Sequence, residues 1–258
     1  MFKMNASRKL TPEELDAIAE IRKRIASKKW IEVVEDNKLN SDMFLIRYAR
    51  ASKFNFDRAE KMIKYYADSL RCEKPDPITL LQTVFPDDFT DYVRGYVGGR
   101  DYEGRPVVML PEAGRKWNLK KIIQNGGEHM FIKYIHKVGL TIEAEILERD
   151  ADYGICVIDV GEIPYANYFH RRSVEVLVEL VRHMEKCAPE VIKRVYFVNA
   201  PKLWIALFAA VQAVITIKAD IIIFDCNMNS WKTKLREIFP EDGICPEFGG
   251  TCANYTLV

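Results

Sequence analysis

The chain has 258 residues, of which 48% are hydrophobic, and its 38 Lys and Arg residues balance 37 Asp and Glu residues. This composition supports a large core and excludes a disordered chain, and the net charge of +1 gives no general electrostatic reason to bind nucleic acid. A basic cluster between Arg22 and Lys29 lies in a helix-like stretch, and we interpret it as a solvated face. The six cysteines are scattered without a C-x-x-C pair, and the N-terminus lacks the apolar segment of a signal peptide, so we expect a cytoplasmic protein.

The N-terminal part of the chain is predicted to be all helical. Thr11-Pro12-Glu13-Glu14 has the pattern of a capping box, with proline at the first helical position. Apolar residues from Ala59 to Leu70 recur at helical spacing. We expect helices from Thr11 to about Val34, from a cap at Asp42 to before Asn55, and around Ala59 to Leu70. They predict a small helical unit over residues 1–75.

Strands and helices alternate after about Asp91, which predicts an α/β domain over residues 76–258 with a mixed, mostly parallel sheet flanked by helices. The expected strands are Tyr92 to Val97 and Arg105 to Leu110, joined as a hairpin, then Gly154 to Val160, Arg194 to Asn199 and Asp220 to Phe224. The expected helices are Asn118 to Asp150 with a break at Gly126-Gly127, Ser173 to Met184, and Ser230 to Phe239.

The segment from Leu203 to Ile217 is apolar on nearly every side. On a helix its large residues fill one arc, while Ala206, Ala210 and Ala213 form a second arc suited to close packing. The segment is too short to be a typical membrane span, and leaving its large side chains in water would cost about 1.5–3 kcal/mol each. Its cover is therefore a bound hydrophobe, a membrane surface, a subunit interface or, as the plainer alternative, the protein core.

Motifs for catalysis are absent from the sequence. It contains no G-x-S-x-G, no Walker A sequence and no G-x-G-x-x-G after a strand, and its four histidines form no H-E-x-x-H. Asp159, after a buried strand, is the best-placed lone acid, and we interpret it as a loop cap rather than a catalytic group. We therefore predict no catalytic residue, no metal site and no cofactor.

Several motifs occur in an order that resembles the CRAL-TRIO lipid-transfer family. They are Phe44 to Phe54, Asp101 to Val107, Val157 to Asp159, Ala188 to Val195, Val198 to Pro201 and Pro246 to Thr251. Ala200 to Trp204 is most similar to the branch that contains supernatant protein factor, the tocopherol-associated protein. The resemblance covers essentially the whole chain.

This resemblance implies a sheet floor and helical walls that enclose an apolar cavity, with the segment from Leu203 as a mobile gate that opens at a membrane. The implied ligand contacts of the gate are Trp204, Leu207, Phe208, Val211, Val214 and Ile215. Those of the cavity wall are Val108, Leu110, Phe131, Tyr134, Ile135, Cys156, Ile158 and Phe197. The gate has Gln212-Ala213-Val214 where the family has lysine-proline-phenylalanine, which predicts a different opening motion.

Departures from the family pattern bear on the ligand. Ser52 and Asp220 match an arginine and a lysine that hold the inositol phosphate in phosphatidylinositol-transferring relatives, whereas the acidic residue of that site is retained as Glu190. Hydroxyl positions of the phosphatidylcholine-handling relatives match Val108, Gly154 and Cys156. A buried phosphate needs charge-assisted donors, so the loss of both cations favours a neutral ligand.

We therefore expect an intracellular carrier of a tocopherol, retinoid, squalene or similar isoprenoid that associates transiently with membranes. A phosphatidylinositol exchange protein or sensor of the same fold is the alternative, and an α/β enzyme that uses Asp159 beneath an apolar lid is a third hypothesis. The oligomeric state is left open.

Overall fold

The N-terminal helices pack around an apolar core, which Cys187 also enters, in the computed structural model, which describes residues 10–72, 76–164, 170–213 and 218–257. These helices are α1 (Pro12–Ile25), α2 (Asp36–Asn40), α3 (Asp42–Ala51) and α4 (Phe56–Cys72). The predicted capping box is confirmed, since Glu14 N donates to Thr11 Oγ1 and Thr11 N donates to Glu14 Oε2. The cap of α3 is Ser41, whose Oγ accepts from Phe44 N, so the prediction of Asp42 as the cap was wrong.

The first helix ends much earlier than predicted. It stops at Ile25, and Lys29–Val33 forms a separate 3-10 turn. Ile25, Ile31 and Val34 are all buried. On one continuous helix, Ile31 and Val34 would point away from the face that carries Ile25, because each residue turns the helix by about 100°. The break allows all three side chains to enter the same core.

Six strands form one sheet within the described ranges, in the order β5-β4-β3-β2-β1-β6. The strands are β1 (Tyr96–Gly98), β2 (Val107–Leu110), β3 (Gly154–Asp159), β4 (Ile192–Val198), β5 (Asp220–Ile223) and β6 (Tyr255–Leu257). Strands β2 to β5 are parallel, and β1 pairs antiparallel with both β2 and β6, which confirms a mixed, mostly parallel sheet.

The remaining helices flank this sheet. They are α5 (Pro77–Gln82), α6 (Asp87–Val93), α7 (Ala113–Lys116), α8 (Leu119–Gln124), α9 (Glu128–Glu148), α10 (Arg171–Cys187), α11 (Lys202–Gln212) and α12 (Met228–Ile238). The break at Gly126-Gly127 is confirmed, with Gly126 at φ 76°. Tyr92 and Val93 lie in α6, so the predicted start of the hairpin was wrong; Phe89 and Val93, one helical turn apart, are both buried there.

The sheet has an apolar layer on each face. On one face, Val97, Val108 and Cys156 pack with helices α5 to α10. On the other face, Met109 and Val157 pack with α12. This alternation follows from the period of two along each strand.

A buried ionic cluster joins the N-terminal helices to α9. Glu143 accepts hydrogen bonds from Arg47 Nη2 at 3.0 Å and Tyr66 Oη at 3.2 Å, and its Oε2 lies 3.0 Å from Lys38 Nζ. Lys38 Nζ also donates to Tyr66 Oη at 2.7 Å. The cluster contributes a polar link where the N-terminal core meets the α/β part of the chain.

Candidate ligand-binding site

A hydrogen-bonded hub lies at the carboxyl ends of β3 and β4. Asp159 Oδ1 accepts from Gly161 N at 2.8 Å, and its Oδ2 accepts from Asn199 Nδ2 at 2.7 Å. Asn199 Oδ1 in turn accepts from Trp231 Nε1 at 2.8 Å. Burial raises the pKa of Asp159, although the bonds from Gly161 and Asn199 partly oppose this shift. Both carboxylate oxygens serve loop structure, as the loop-cap interpretation predicted.

Replacing Asn199 with alanine is expected to lower the free energy of unfolding by about 2–4 kcal/mol. The change removes two hydrogen bonds, and it places an alanine at φ 56°, a left-handed conformation that asparagine tolerates better. Asn199→Gly is the matched control, because glycine restores the backbone freedom without the side chain. In urea unfolding, Asn199→Gly should lose less free energy of unfolding than Asn199→Ala. Equal losses in the two variants would contradict the contribution of the left-handed backbone conformation.

The apolar helix α11 begins at this hub. Its N-cap is Pro201, and Ala200 N donates to Phe224 O at 3.0 Å, which ties the start of the helix to the end of β5. None of the residues of Lys202–Gln212, a range that the structure describes throughout, is buried. An apolar helix thus lies at the edge of the sheet with much of its surface uncovered.

Three aromatic rings seat α11 on the sheet. Trp204 and Phe208 stack with ring centroids 4.8 Å apart, and their centroids lie 4.6 Å and 5.2 Å from that of Phe197 on β4. Leu207 and Val211 are half-buried on the same helix. The structure therefore brings together Phe197, Trp204 and Phe208 among the predicted site residues.

The alanine arc of this helix faces outward. Ala206, Ala210 and Ala213 are exposed, so the prediction that they form a close-packing surface was wrong. The helix meets the body of the protein through its bulky aromatic arc, which leaves the small residues on the outside. The predicted contacts Val214 and Ile215 lie outside the described residues.

The predicted wall residues share one face of the sheet and the helix above it. Val108 pairs with Cys156, and Leu110 pairs with Ile158, which pairs with Phe197. Val108, Leu110 and Cys156 are buried, whereas Ile158 and Phe197 are half-buried. On α9, Phe131 and Tyr134 are fully buried and Ile135 is half-buried. The wall side chains are therefore shielded from solvent around β2 and become partly exposed toward α11.

Two surface clefts lie elsewhere on the molecule. One, of about 370 Å³, includes Arg100 and Arg149, and the other, of about 340 Å³, includes Lys38 and Leu140. Neither contains a predicted site residue, so neither corresponds to the predicted cavity.

A stacked histidine pair was missed by the sequence analysis. The rings of His136 on α9 and His183 on α10 lie 5.1 Å apart at 23°, and burial lowers the pKa of His136 to about 4. Spacing along the chain could not reveal this pair, because it forms between two helices. Among the described residues, no three His, Cys, Asp or Glu side chains are grouped to hold a metal ion, and no helix has the length and apolarity to cross a membrane.

Comparisons with known proteins identify the fold family. The model of the CRAL/TRIO domain matches residues 90–250, which is more than half of the chain. The chain belongs to the CRAL/TRIO family. The resemblance seen in the sequence motifs is thereby confirmed, and the CRAL/TRIO fold is a lipid-binding fold.

One relative by sequence and one solved structure are similar to this chain. The chain is 23% identical over 261 residues to Protein real-time of Aedes aegypti, a match that covers 94% of this chain and 38% of that protein. The crystal structure of Sfh5 is similar in fold, with a TM-score of 0.64, 13% identity, and coverage of 87% of this chain and 84% of that one.

Two departures from the CRAL/TRIO pattern, at Ser52 and Gly154, have structural explanations. Ser52 is buried and its Oγ donates to Ala49 O at 2.9 Å, so its hydroxyl serves the end of α3. A Cβ on Gly154 would lie 2.8 Å from Ile142 Cγ1, so glycine permits α9 to approach β3 closely. Asp220 is exposed at the start of β5. Neither Ser52 nor Asp220 supplies a positive charge at the positions matched to the phosphate site.

Proposed function

We propose that this chain is an intracellular carrier that binds a neutral hydrophobic molecule, such as a tocopherol, a retinoid or squalene, between the sheet and α11. We place the lipid site in residues 76–258 and propose residues 1–75 as a separate helical unit, whose described helices α2 to α4 contact the lipid-binding part through the buried cluster at Glu143. The observation that carries the proposal is the uncovered apolar helix α11, seated on Phe197 by Trp204 and Phe208. Its large side chains are only half-buried, and a ligand that covers their remaining exposed surface stabilises the complex by removing that apolar surface from water.

The attachment of α11 suits a gate. Before the helix, Ala200 N is bonded to Phe224 O, and after it, Lys218 N donates to Glu185 Oε1 at 2.9 Å. Hydrogen bonds therefore attach the chain to the rest of the protein on both sides of the gate. Opening breaks the aromatic contacts, which are worth about 0.5–1.5 kcal/mol each beyond their buried area. A membrane surface offers apolar cover that offsets this loss, so we propose that opening and lipid exchange occur there.

The proposed carrier catalyses no reaction. Asp159, the acid considered for catalysis, has each carboxylate oxygen in a hydrogen bond to Gly161 or Asn199. A neutral cargo is supported by Ser52 and Asp220, which supply no cation at the positions matched to a phosphate site.

Phosphatidylinositol exchange is the second candidate function, and Glu190 favours it. This retained residue adopts φ 58°, and its Oε2 lies 3.8 Å from Lys193 Nζ without a hydrogen-bond partner in the described chain. The strained acidic residue beside a lysine supports this alternative, in which Glu190 would form part of an inositol site.

Vesicle transfer separates these functions. Phosphatidylcholine donor vesicles carrying labelled α-tocopherol, retinol or phosphatidylinositol are mixed with unlabelled acceptors and the full chain. We expect transfer of tocopherol or retinol and none of phosphatidylinositol. Asp159→Asn should retain this transfer when equal concentrations of folded variant and folded wild type are compared. Transfer of phosphatidylinositol alone would refute the neutral-cargo proposal, and loss of transfer in folded Asp159→Asn would favour an enzyme.

A further inference from the structure

Two buried polar atoms stand in the apolar layer without a hydrogen bond. Tyr134 Oη and Trp117 Nε1 have no partner in the described chain, and Tyr134 is fully buried. Buried donors are almost always satisfied in folded proteins, because an unmade hydrogen bond leaves the full cost of desolvation. A polar atom from outside the chain would remove this cost.

Both groups lie beside the predicted cavity wall. A Cβ on Gly95 would lie 2.8 Å from Tyr134 Oη and 2.6 Å from Leu110 Cδ2, so the hydroxyl is adjacent to Leu110 at the end of β2. The Trp117 ring is 6.4 Å from that of Tyr134, at an angle of 81°. The two groups thus share the carboxyl edge of the parallel strands, where α11 also begins and where α/β sheets bind ligands.

Their surroundings select for a neutral acceptor. The rings of Phe85, Phe89 and Phe131 lie within 5.9 Å of Tyr134 or Trp117, measured between centroids. Burial raises the pKa of Tyr134, so the phenol is neutral and retains its proton. The indole N–H can only donate. A charged ligand group would be poorly solvated in this aromatic environment, whereas an uncharged oxygen would accept from either donor.

We propose that Tyr134 and Trp117 form a polar anchor for the single hydroxyl, carbonyl or ether oxygen of an otherwise apolar lipid. This inference rests on the proposed function and narrows it, because a pure hydrocarbon such as squalene carries no acceptor for the anchor. Glycine at position 95 allows the hydroxyl to approach the backbone closely, since even a methyl group there would clash with it.

A matched lipid pair tests the anchor. Binding of phytol and of phytane, its saturated hydrocarbon counterpart, is measured by competition against a fluorescent fatty alcohol with the full chain. We expect phytol to bind at least about fivefold more tightly than phytane. Tyr134→Phe and Trp117→Phe should each weaken phytol binding about fivefold and leave phytane binding unchanged. Tyr196→Phe is the control, because Tyr196 is buried on the opposite face of the sheet.

The outcomes separate the anchor from the proposed function. Binding of neither lipid would refute the carrier proposal itself. Equal binding of both lipids by the wild type, or a phytol preference that survives both substitutions, would overturn the anchor while leaving the carrier intact.

Thermal unfolding of the lipid-free protein provides a second readout. Because the Tyr134 hydroxyl has no partner in the described chain, Tyr134→Phe should melt at the same temperature as the wild type or higher. Phytol should then raise the melting temperature of the wild type more than that of the variant. A lower melting temperature for lipid-free Tyr134→Phe would show that the hydroxyl stabilises the protein directly, which would overturn the anchor.

Discussion

Replacing Glu143 with alanine is expected to lower the free energy of unfolding by about 3–5 kcal/mol. Glu143 is only 3% exposed and faces two cations, Arg47 and Lys38, each at 3.0 Å, as well as the Tyr66 hydroxyl. The substitution leaves Arg47 buried without this carboxylate and leaves Lys38 with Glu35 at 4.0 Å, and a buried charge that has lost its partner costs more than the pair contributes. Urea unfolding at pH 7 measures the loss.

Asp68→Ala is the matched control. Its carboxylate pairs with Lys64 on the exposed face of α4, where an ion pair contributes less than about 1 kcal/mol. If Glu143→Ala cost no more than this control, the buried cluster would not stabilise the junction between the N-terminal helices and α9.

The pH dependence gives the Glu143 prediction a second measurement. Burial alone would raise the pKa of Glu143, but Lys38 and Arg47 outweigh it and the net shift is downward. The unfolded chain therefore binds the proton first as the pH falls, and the contribution of Glu143 is lost below about pH 4. Glu143→Gln should lack this part of the acid destabilisation; an unchanged acid profile would contradict the lowered pKa.

The double substitution Trp204→Ala and Phe208→Ala is expected to weaken lipid binding by about 10- to 100-fold. It removes the stack between these two rings and the contacts of both with Phe197, which are the contacts that seat α11 on the sheet. The melting temperature should also fall, because the two half-buried rings make these contacts in the folded protein, so affinity is compared at a temperature where the variant is folded. Equilibrium binding of a fluorescent tocopherol or retinol in the absence of vesicles measures the effect.

Leu177→Ala provides the control for loss of apolar surface. Leu177 is an exposed residue of α10, 45% accessible, and its truncation should leave lipid affinity unchanged. Wild-type affinity in the double variant would show that the aromatic seat of α11 does not retain the ligand.

Local sequence signals predicted the order of the elements. The Thr11 capping box, the glycine pair at Gly126-Gly127 and the apolar run from Gly154 each specify structure through neighbouring residues. The period of two also placed Val108 and Leu110 on one face. Such predictions succeed because they depend on contacts between residues close in sequence.

Contacts between residues far apart in the sequence could not be predicted from such local signals. Arg47 and Glu143 are 96 positions apart, and each would be interpreted alone as a solvated charge. The outward direction of Ala210 depends on where the sheet edge meets α11. That the Tyr134 hydroxyl has no hydrogen-bond partner among the described residues likewise becomes visible only when every neighbouring acceptor has been placed.

Native mass spectrometry of the full chain recovered from cells tests the central claim most directly. A co-purified neutral lipid that is largely apolar and carries an oxygen at one end is the predicted result, and denaturing the protein should release it intact. A phosphoinositide or another charged phospholipid as the main bound species would contradict the proposed cargo.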